Sequence, residues 1–434
     1  MSYNWTNREL KIIYQGYSMR VFKFGGASVK DANGVKNMAS VLQKVGYDQT
    51  LVVVSAMGKT TNALEAVNHN YFHNKSELQS SLQEVKKYHN AILLDLFDDE
   101  QHVVFKRISS LFDELSGFYD RNKSPDYNFV YDQTICYGEL VSTAIISEYL
   151  NHIGLKNDWI DVREFIKTDN YYRRANVNWV ETQALITSNF DKKNLNITQG
   201  FLGSDANNFT TTLGREGSDY TAAIFAYCLN AEGVTIWKDV PGVLNADPRY
   251  FENAQLLNKI SYREAIELAF YGASVIHPKT LQPLQGKEIP LYVKSFLKPK
   301  DPGTMVGKGI GLEPDVPCFI VKKDQVLISL SSLDFSYIVE ENISEIFNLL
   351  HQYKMKVDVI QNSAISFSVC VDNIYNNLEK LLHHLRAKFK VDWQERVSLY
   401  TIRHYNDKAI KQLEADKTVL LKQVTQNTVQ IVTK

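Results

Sequence analysis

The chain has 434 residues, a formal net charge of -1 and 22% charged residues. That length exceeds one ordinary core and predicts two or three domains. The near-neutral balance argues against a nucleic-acid partner, which asks for a basic face.

No stretch reaches the roughly 18 apolar residues that a membrane helix needs. The four cysteines, Cys136, Cys228, Cys318 and Cys370, form no CxxC pair and no metal-ligand spacing. They read as buried, reduced thiols of a cytoplasmic protein. Residues 1–18 lack an apolar h-region and read as an N-terminal extension rather than a secretory signal.

In chain order, 20–24 is a short apolar run closed by Gly25-Gly26, and 51–54 is another closed by Ser55-Ala56. Such runs suit buried strands of a parallel sheet. Between them, 31–44 has helical spacing at Val35, Met38, Ala39 and Leu42. The resulting βαβ unit puts both turns at the C-terminal ends of strands, where open α/β sheets bind ligands. The stretch 65–120 is long, charged and helical, with Val85, Tyr88, Ile92 and Leu96 on one stripe, and reads as a lobe packed beside the sheet. A further helix is expected over 138–150, and strands at 195–198, 234–237 and 289–293. Asp301-Pro302-Gly303 and Gly307, Gly309 and Gly311 mark a boundary.

Past residue 316 the pattern changes. A strand over 325–332 alternates at Val326, Ile328 and Leu330; a helix follows with Ile343, Ile346, Phe347 and Leu350 on one face. Strands at 357–360 and 365–371 and a helix through Leu378, Leu381, Leu382, Leu385 and Phe389 complete a β-α-β-β-α module. A partial copy follows: strand 397–403, helix 407–413, strands 418–423 and 428–432. This copy is either truncated or borrows a strand from before the first, at 319–321.

Three motif-like stretches carry no chemistry. Gly58-Lys59-Thr60 ends like a Walker A loop, but Val53 stands where its leading glycine belongs. The glycines at 307–311 are not spaced as GxGxxG, and His277-Pro278 has no second metal ligand at a usable spacing.

Five stretches remain. Lys23-Phe24-Gly25-Gly26 puts an ammonium and free backbone amides at a strand end, a combination suited to phosphate and also to a plain tight turn. Ser55 to Asn62 is rich in small hydroxyl residues; it suits a small polar substrate, or a turn with a helix cap at Thr61. Glu139 is expected at the start of a helix, either as a structural N-terminal carboxylate or as the holder of a substrate ammonium. The run Thr210-Thr211-Thr212-Leu213-Gly214-Arg215-Glu216-Gly217-Ser218-Asp219 opens a helix. Its Arg215 offers a bidentate fork to a carboxylate, and Asp219 can orient a lysine. Lys238-Asp239-Val240-Pro241-Gly242 follows a strand, turns sharply and leads to Asp247-Pro248-Arg249, as a nucleotide loop would.

The ordered set KFGGASV, SAMGKTTN, GELVS, TTTLGREGSDYTA, KDVPGVLNADPR and GASVIHPKT resembles the aspartate kinases of the amino-acid kinase superfamily. The resemblance covers nearly all of the chain after residue 19, including paired C-terminal ACT modules. It implies an α/β amino-acid kinase fold, a mostly parallel central sheet with helices on both faces, plus α+β ACT-type regulatory modules. The expected organisation is an extension at 1–18, a catalytic domain at 19–305 with a helical lobe near 65–130, and ACT modules at 316–392 and 393–434. The implied reaction is ATP- and Mg²⁺-dependent phosphorylation of L-aspartate to 4-phospho-L-aspartate. Lys23 would stabilise the transferring phosphoryl group with the amides of Gly25 and Gly26. Ser55, Thr61, Glu139 and Arg215 would hold aspartate, and Asp219 would organise Lys23. Asp239, Leu244 and Arg249 would lie along ATP.

Two departures stand out. Ser274 occupies the position of a lysine that normally touches the nucleotide phosphates, so Lys238 or Lys279 is expected to supply that charge. Leu244 stands where an aromatic residue is common. In the tail, Asp358, Asn362 and Ser363 fall in the effector-binding stretch and point to lysine, or threonine, as regulator, with ACT modules pairing between copies in a homodimer or larger assembly. No dehydrogenase portion follows, which reads as monofunctional. The alternatives are another carboxylate kinase, such as a glutamate 5-kinase or acetylglutamate kinase, and a catalytically idle effector-binding protein.

Overall fold

A computed structural model describes residues 19–273, 276–334 and 336–434; the N-terminal extension and Ser274 lie outside the described residues. The described chain forms two units. The first runs up to Val243 and adds Asn258–Tyr262 and His277–Ile310; the second takes Leu244–Leu257, Arg263–Ile276 and Gly311–Lys434. The division is therefore not one cut near residue 305, because two short earlier segments join the C-terminal unit.

In the first unit, β1 (Arg20–Phe24) leads through a 3-10 turn at Gly26–Val29 into α1 (Ala32–Val45) and β2 (Thr50–Val54). Asp31 caps α1 by accepting the Gly34 amide at 2.8 Å, satisfying one of the donors a helix start leaves free. Every residue of β2 is buried, as a strand covered on both faces must be. The lobe comprises α2 (Thr60–His73), α3 (Leu78–Leu96), α4 (Val103–Arg121) and α5 (Tyr127–His152). On α3, Leu82, Val85, Ile92 and Leu96 face the core, as their spacing predicts, whereas Tyr88 is 37% exposed. On α5 nearly every residue from Val130 to Leu150 is buried, so it is a central helix with no solvent stripe.

There follow β3 (Asn157–Ile160), α6 (Trp179–Asn189), β4 (Leu195–Gln199), the hairpin β5 (Leu202–Ser204) and β6 (Thr210–Thr212), and α7 (Gly217–Leu229). Next come β7 (Gly233–Lys238), β8 (Lys259–Ser261), α8 (Tyr262–Tyr271, which past its first residue belongs to the second unit), α9 (Pro278–Lys287), β9 (Leu291–Ser295) and β10 (Thr304–Gly307). The sheet order is β3-β4-β2-β1-β7-β9-β10-β8, and only the β9–β10 pairing is antiparallel. The register matches Phe24 with Val54 and Trp237, and Val54 with Gln199. Four strands thus end level, and the loops after β1, β2, β4 and β7 open at one edge. The flanks of β1 are reached in opposite directions along the sheet, which makes this edge the topological switch point.

The second unit contains β11 (Cys318–Ser332), α10 (Glu340–Gln352), β12 (Lys356–Asn362), β13 (Ser366–Asp372), α11 (Leu378–Leu385), β14 (Phe389–Arg403), α12 (Asp407–Glu414), β15 (Val419–Val424) and β16 (Thr428–Thr433). Its sheet runs β12-β13-β11-β14-β16-β15. The strands expected at 325–332 and 397–403 are the later parts of two longer ones, each of 15 residues. Phe319–Val321 is the beginning of β11 and lies opposite Tyr400–Ile402. The charged run Lys322-Lys323-Asp324 hides this continuity. It forms a bulge, with Asp324 at φ +57°, and the alternation resumes beyond it.

Candidate active site

Lys23 points out of β1 towards the first turn of α7, where its Nζ lies 2.7 Å from Asp219 Oδ1. The two side chains are 11% and 4% exposed, so each charge depends on the other. Asp219 also sits at the positive end of a helix, which favours a carboxylate. A Cβ on Gly25 would lie 3.3 Å from Lys23 Nζ. The glycine therefore leaves the ammonium accessible from the turn.

The next loop is pressed against this one. Ser55 donates its amide to Phe24 O at 3.1 Å, and Gly58 donates to Gly26 O at 3.0 Å. A Cβ at Gly26 would sit 2.6 Å from Ala56 O and 2.8 Å from Gly58 O, so no other residue fits. Thr60 opens α2 and its hydroxyl donates to Met57 O at 2.6 Å. Thr61 is half-buried in the first turn of α2 rather than at its cap, which is Lys59.

Glu139 lies in the middle of α5, not at a helix start, which removes the reading as an N-terminal carboxylate. Gly138, where the sequence reading starts a helix, is a packing contact inside α5. Its Cβ would meet Ala56 at 3.1 Å and Leu64 and Thr60 at 3.4 Å. Glu139 Oε1 accepts the Ala56 amide at 3.2 Å, while Oε2 is buried without a hydrogen-bond partner among the described residues. Burial pushes this carboxyl up to about 8, against the lowering effect of the Ala56 amide and of the Lys23 charge. One turn further on, Ser142 donates to Ser55 O at 2.8 Å and fixes the same loop, a contact with no sequence signal of its own.

Arg215 is exposed on the turn before α7 and makes no hydrogen bond or ion pair with a described residue. Gly214 and Glu216 on either side have positive φ, +78° and +53°. Lys279, at the start of α9, donates to Leu213 O at 3.0 Å and covers the Tyr220 ring at 4.6 Å; burial lowers its pKa. Lys238 ends β7, half-buried, its carbonyl accepting the Phe296 amide at 2.9 Å, and Asp239 follows exposed. The first unit thus gathers Lys23, Gly25, Gly26, Ser55, Thr61, Arg215, Asp219, Lys238, Asp239 and Lys279 on strand ends, loops and helix starts around one sheet edge, with Glu139 reaching it from the middle of α5.

Leu244 and Arg249 belong to the second unit. There Leu244 bridges Leu256, and the exposed Arg249 is paired with Asp247 through Nε at 3.0 Å. Asp358 lies at the bulge of β12, its Oδ1 2.7 Å from Lys322 Nζ and its Oδ2 buried without a partner among the described residues. Ser363 is exposed at the far end, where its hydroxyl meets that of Ser366 at 2.6 Å. Asn362 precedes it, roughly 13 Å from Asp358 at about 3.3 Å per strand residue. Within one chain these residues do not converge on a point.

An ion-paired lysine beside two glycine-lined loops, with an open buried carboxylate opposite, defines a kinase of the amino-acid kinase class. The amino acid kinase family description matches residues 18–295. Lysine-sensitive aspartokinase 3 of Escherichia coli K12 is 31% identical over 88% of this chain and 86% of its own length. Chloroplastic aspartokinase 1 of Arabidopsis thaliana is 31% identical over 81% of this chain and 63% of its own. The chain spans only 42% of the chloroplastic bifunctional aspartokinase/homoserine dehydrogenase 1 of the same plant, at 28% identity. Among solved structures, E. coli aspartokinase III in complex with lysine and aspartate superposes with a TM-score of 0.81, at 28% identity over 95% of both chains. The same enzyme with aspartate and ADP gives 0.77 over 96% of both. The chain belongs to the aspartokinase family.

Replacing Gly26 by Ala is expected to force the loops after β1 and β2 apart and to lower turnover roughly a hundredfold. Steady-state ADP release, with the thermal midpoint as a check on folding, measures this.

Proposed function

We propose that the chain transfers the γ-phosphoryl group of ATP to the side-chain carboxylate of L-aspartate, opening the synthesis of the aspartate-derived amino acids in the cytoplasm, and that lysine restrains it through the second unit. What carries the catalytic reading is the buried Lys23–Asp219 pair beside Gly25 and Gly26, with Glu139 Oε2 left open in the same region.

The acceptor carboxylate, with a reference pKa near 3.9, is already ionised at neutral pH. No base is needed; the obstacle is bringing this anion against an anionic phosphate. Arg215 holds the α-carboxylate and Glu139 the ammonium, with Ser55 and Thr61 lining the pocket. The carboxylate oxygen then forms its bond to the γ-phosphorus as the bond to the bridging oxygen breaks, and ADP leaves with that electron pair. Lys23 and the amides of Gly25 and Gly26 take the charge that spreads over the equatorial oxygens. Asp219 keeps Lys23 in place. A Mg²⁺ ion bound with the nucleotide would neutralise phosphate charge, and the exposed Asp239 is the residue that would hold it.

The regulatory part is supported by relatives: the E. coli protein is named lysine-sensitive, and its structure holds lysine and aspartate. In this chain Asp358 is nearly buried with one oxygen unpartnered, a setting that suits an effector ammonium, while Asn362 and Ser363 are exposed, where a ligand shared with a second copy could meet them. We therefore place the effector between paired ACT modules of a homodimer or larger assembly, with threonine as the other ligand to test.

The direct test is ADP release with ATP, Mg²⁺ and L-aspartate. Lys23→Ala is expected to lower it roughly a hundred- to a thousandfold, and added lysine to suppress the wild type. Release that is indifferent to aspartate, or to lysine, removes the corresponding half of the proposal.

Glu139 generates a pH dependence. Below about 8 its carboxyl is largely protonated and cannot balance an ammonium. The kcat/KM for aspartate should therefore rise with pH towards a limb near 8, and Glu139→Gln should abolish that limb. The folded pKa exceeds the unfolded one, so this residue's contribution to stability is present at low pH and is lost as pH rises towards 8. Above that pH the Gln variant should melt higher than the wild type.

If Lys238 supplies the charge missing at Ser274, Lys238→Ala should cost at least about tenfold more turnover than Lys279→Ala. Equal small losses in parallel assays exclude that substitution of roles.

A further inference from the structure

Asp132 lies on α5, fully buried, and its carboxylate accepts four hydrogen bonds, none of them from a charged group. The Arg173 amide donates to Oδ1 at 3.1 Å and to Oδ2 at 3.0 Å. The Thr212 amide donates to Oδ2 at 2.9 Å, and the Thr212 hydroxyl to Oδ1 at 2.8 Å. Burial pushes the carboxyl up to about 6, against the lowering effect of these donors and of the Arg173 charge, so it is ionised at neutral pH. Bonds to a charged acceptor are roughly twice as strong as neutral ones. Both donors are unusual in place. Arg173 has φ +68° in the loop before α6, and Thr212 is the last residue of β6. Thr212 in turn accepts the Ala175 amide at 2.9 Å. Asp132 thus fastens a strained loop and a short hairpin strand to one point on a central helix.

Two observations tie that point to the substrate. Along the chain, Thr212 is followed by Leu213 and then by the turn that carries Arg215. A Cβ at Gly214 in that turn would lie 3.3 Å from Arg173 O, so the loop and the turn are in contact. Along α5, Glu139 lies about two turns after Asp132 and therefore on the same face. One helix bears both a side chain for the substrate ammonium and the anchor of the loop that presents Arg215.

We infer that Asp132 is a positioning residue for aspartate recognition: through Thr212 it sets the distance between Arg215 and Glu139, which must match the separation of the α-carboxylate and ammonium of one amino acid. This rests on the reading of Arg215 as the carboxylate ligand.

The experiment is steady-state kinetics of the full chain carrying Asp132→Asn, Thr212→Val, Thr212→Ser or Arg215→Ala, each with its thermal midpoint. Asp132→Asn keeps the shape but replaces one acceptor oxygen by a donor. It should raise the KM for aspartate roughly ten- to a hundredfold, with kcat and the KM for ATP changed far less. Thr212→Val deletes one donor at constant shape and should raise the same KM by a smaller factor. Thr212→Ser keeps the hydroxyl and should restore the wild-type value. This pair also carries the test if Asp132→Asn does not fold. A purely structural role for the site would tolerate Val as well as Ser, or would lower kcat and raise both KM values together with a fall in midpoint; either pattern overturns the inference. If Arg215→Ala raises the aspartate KM while the Asp132 and Thr212 variants leave it alone, only the positioning role falls. If Arg215→Ala leaves it unchanged, the underlying assignment of Arg215 falls, and the inference with it.

Discussion

A lysine buried at the end of a central strand needs a carboxylate within reach, and most of the catalytic unit is arranged to provide one. Removing either partner of a buried ion pair leaves an uncompensated charge, at a cost of about 3–5 kcal/mol. Asp219 can meet Lys23 only if α7 begins directly above the end of β1. That requires the chain after β4 to pass very close: a Cβ at Gly200 would lie 2.3 Å from Ser218 Cβ, and one at Gly217 would lie 2.6 Å from Phe201 Cδ2. The glycines on both sides of this crossing are consequences of the pair. So is the level ending of β1, β2, β4 and β7, which leaves the ammonium facing a cleft and not a strand.

Two buried carboxylates on α5 show how environment divides labour between identical groups. Asp132 has its acceptor sites filled by four donors and stays an anion near neutrality. Glu139 has one amide on one oxygen and nothing on the other, and burial pushes its carboxyl to about 8. The first is satisfied by the protein and suits architecture. The second is unsatisfied until something cationic arrives, which suits recognition.

The second unit follows a different rule. Its sheet is built on β11 and β14, which pair along most of their length and carry the strands of both modules on their flanks. One cluster of its buried charges is closed on itself. Glu264 on α8 accepts from Arg403 at 2.7 and 3.2 Å and lies 3.0 Å from His404, and its pKa is lowered against burial by those partners. The helix Tyr262–Tyr271 is thereby held to the end of β14.

Periodicity and short motifs determined much of this protein before any coordinates. The βαβ start, the helical lobe, the α+β tail and the loops bearing Lys23, Ser55, Arg215 and Asp219 were legible because each depends on residues near in sequence. Gly138 shows where that reading stops. The sequence reading starts a helix at this glycine, yet here it admits Ala56, which is far away in the chain, so the helix runs through it and Glu139 moves from its start to its middle. The charges at 322–324 likewise concealed a continuous strand, since only its partner, β14, shows that the bulge is bridged. Asp132 carried no local sign at all. Its donors come from Arg173 and Thr212, and burial and hydrogen-bond satisfaction are properties of assembled neighbours rather than of sequence spacing.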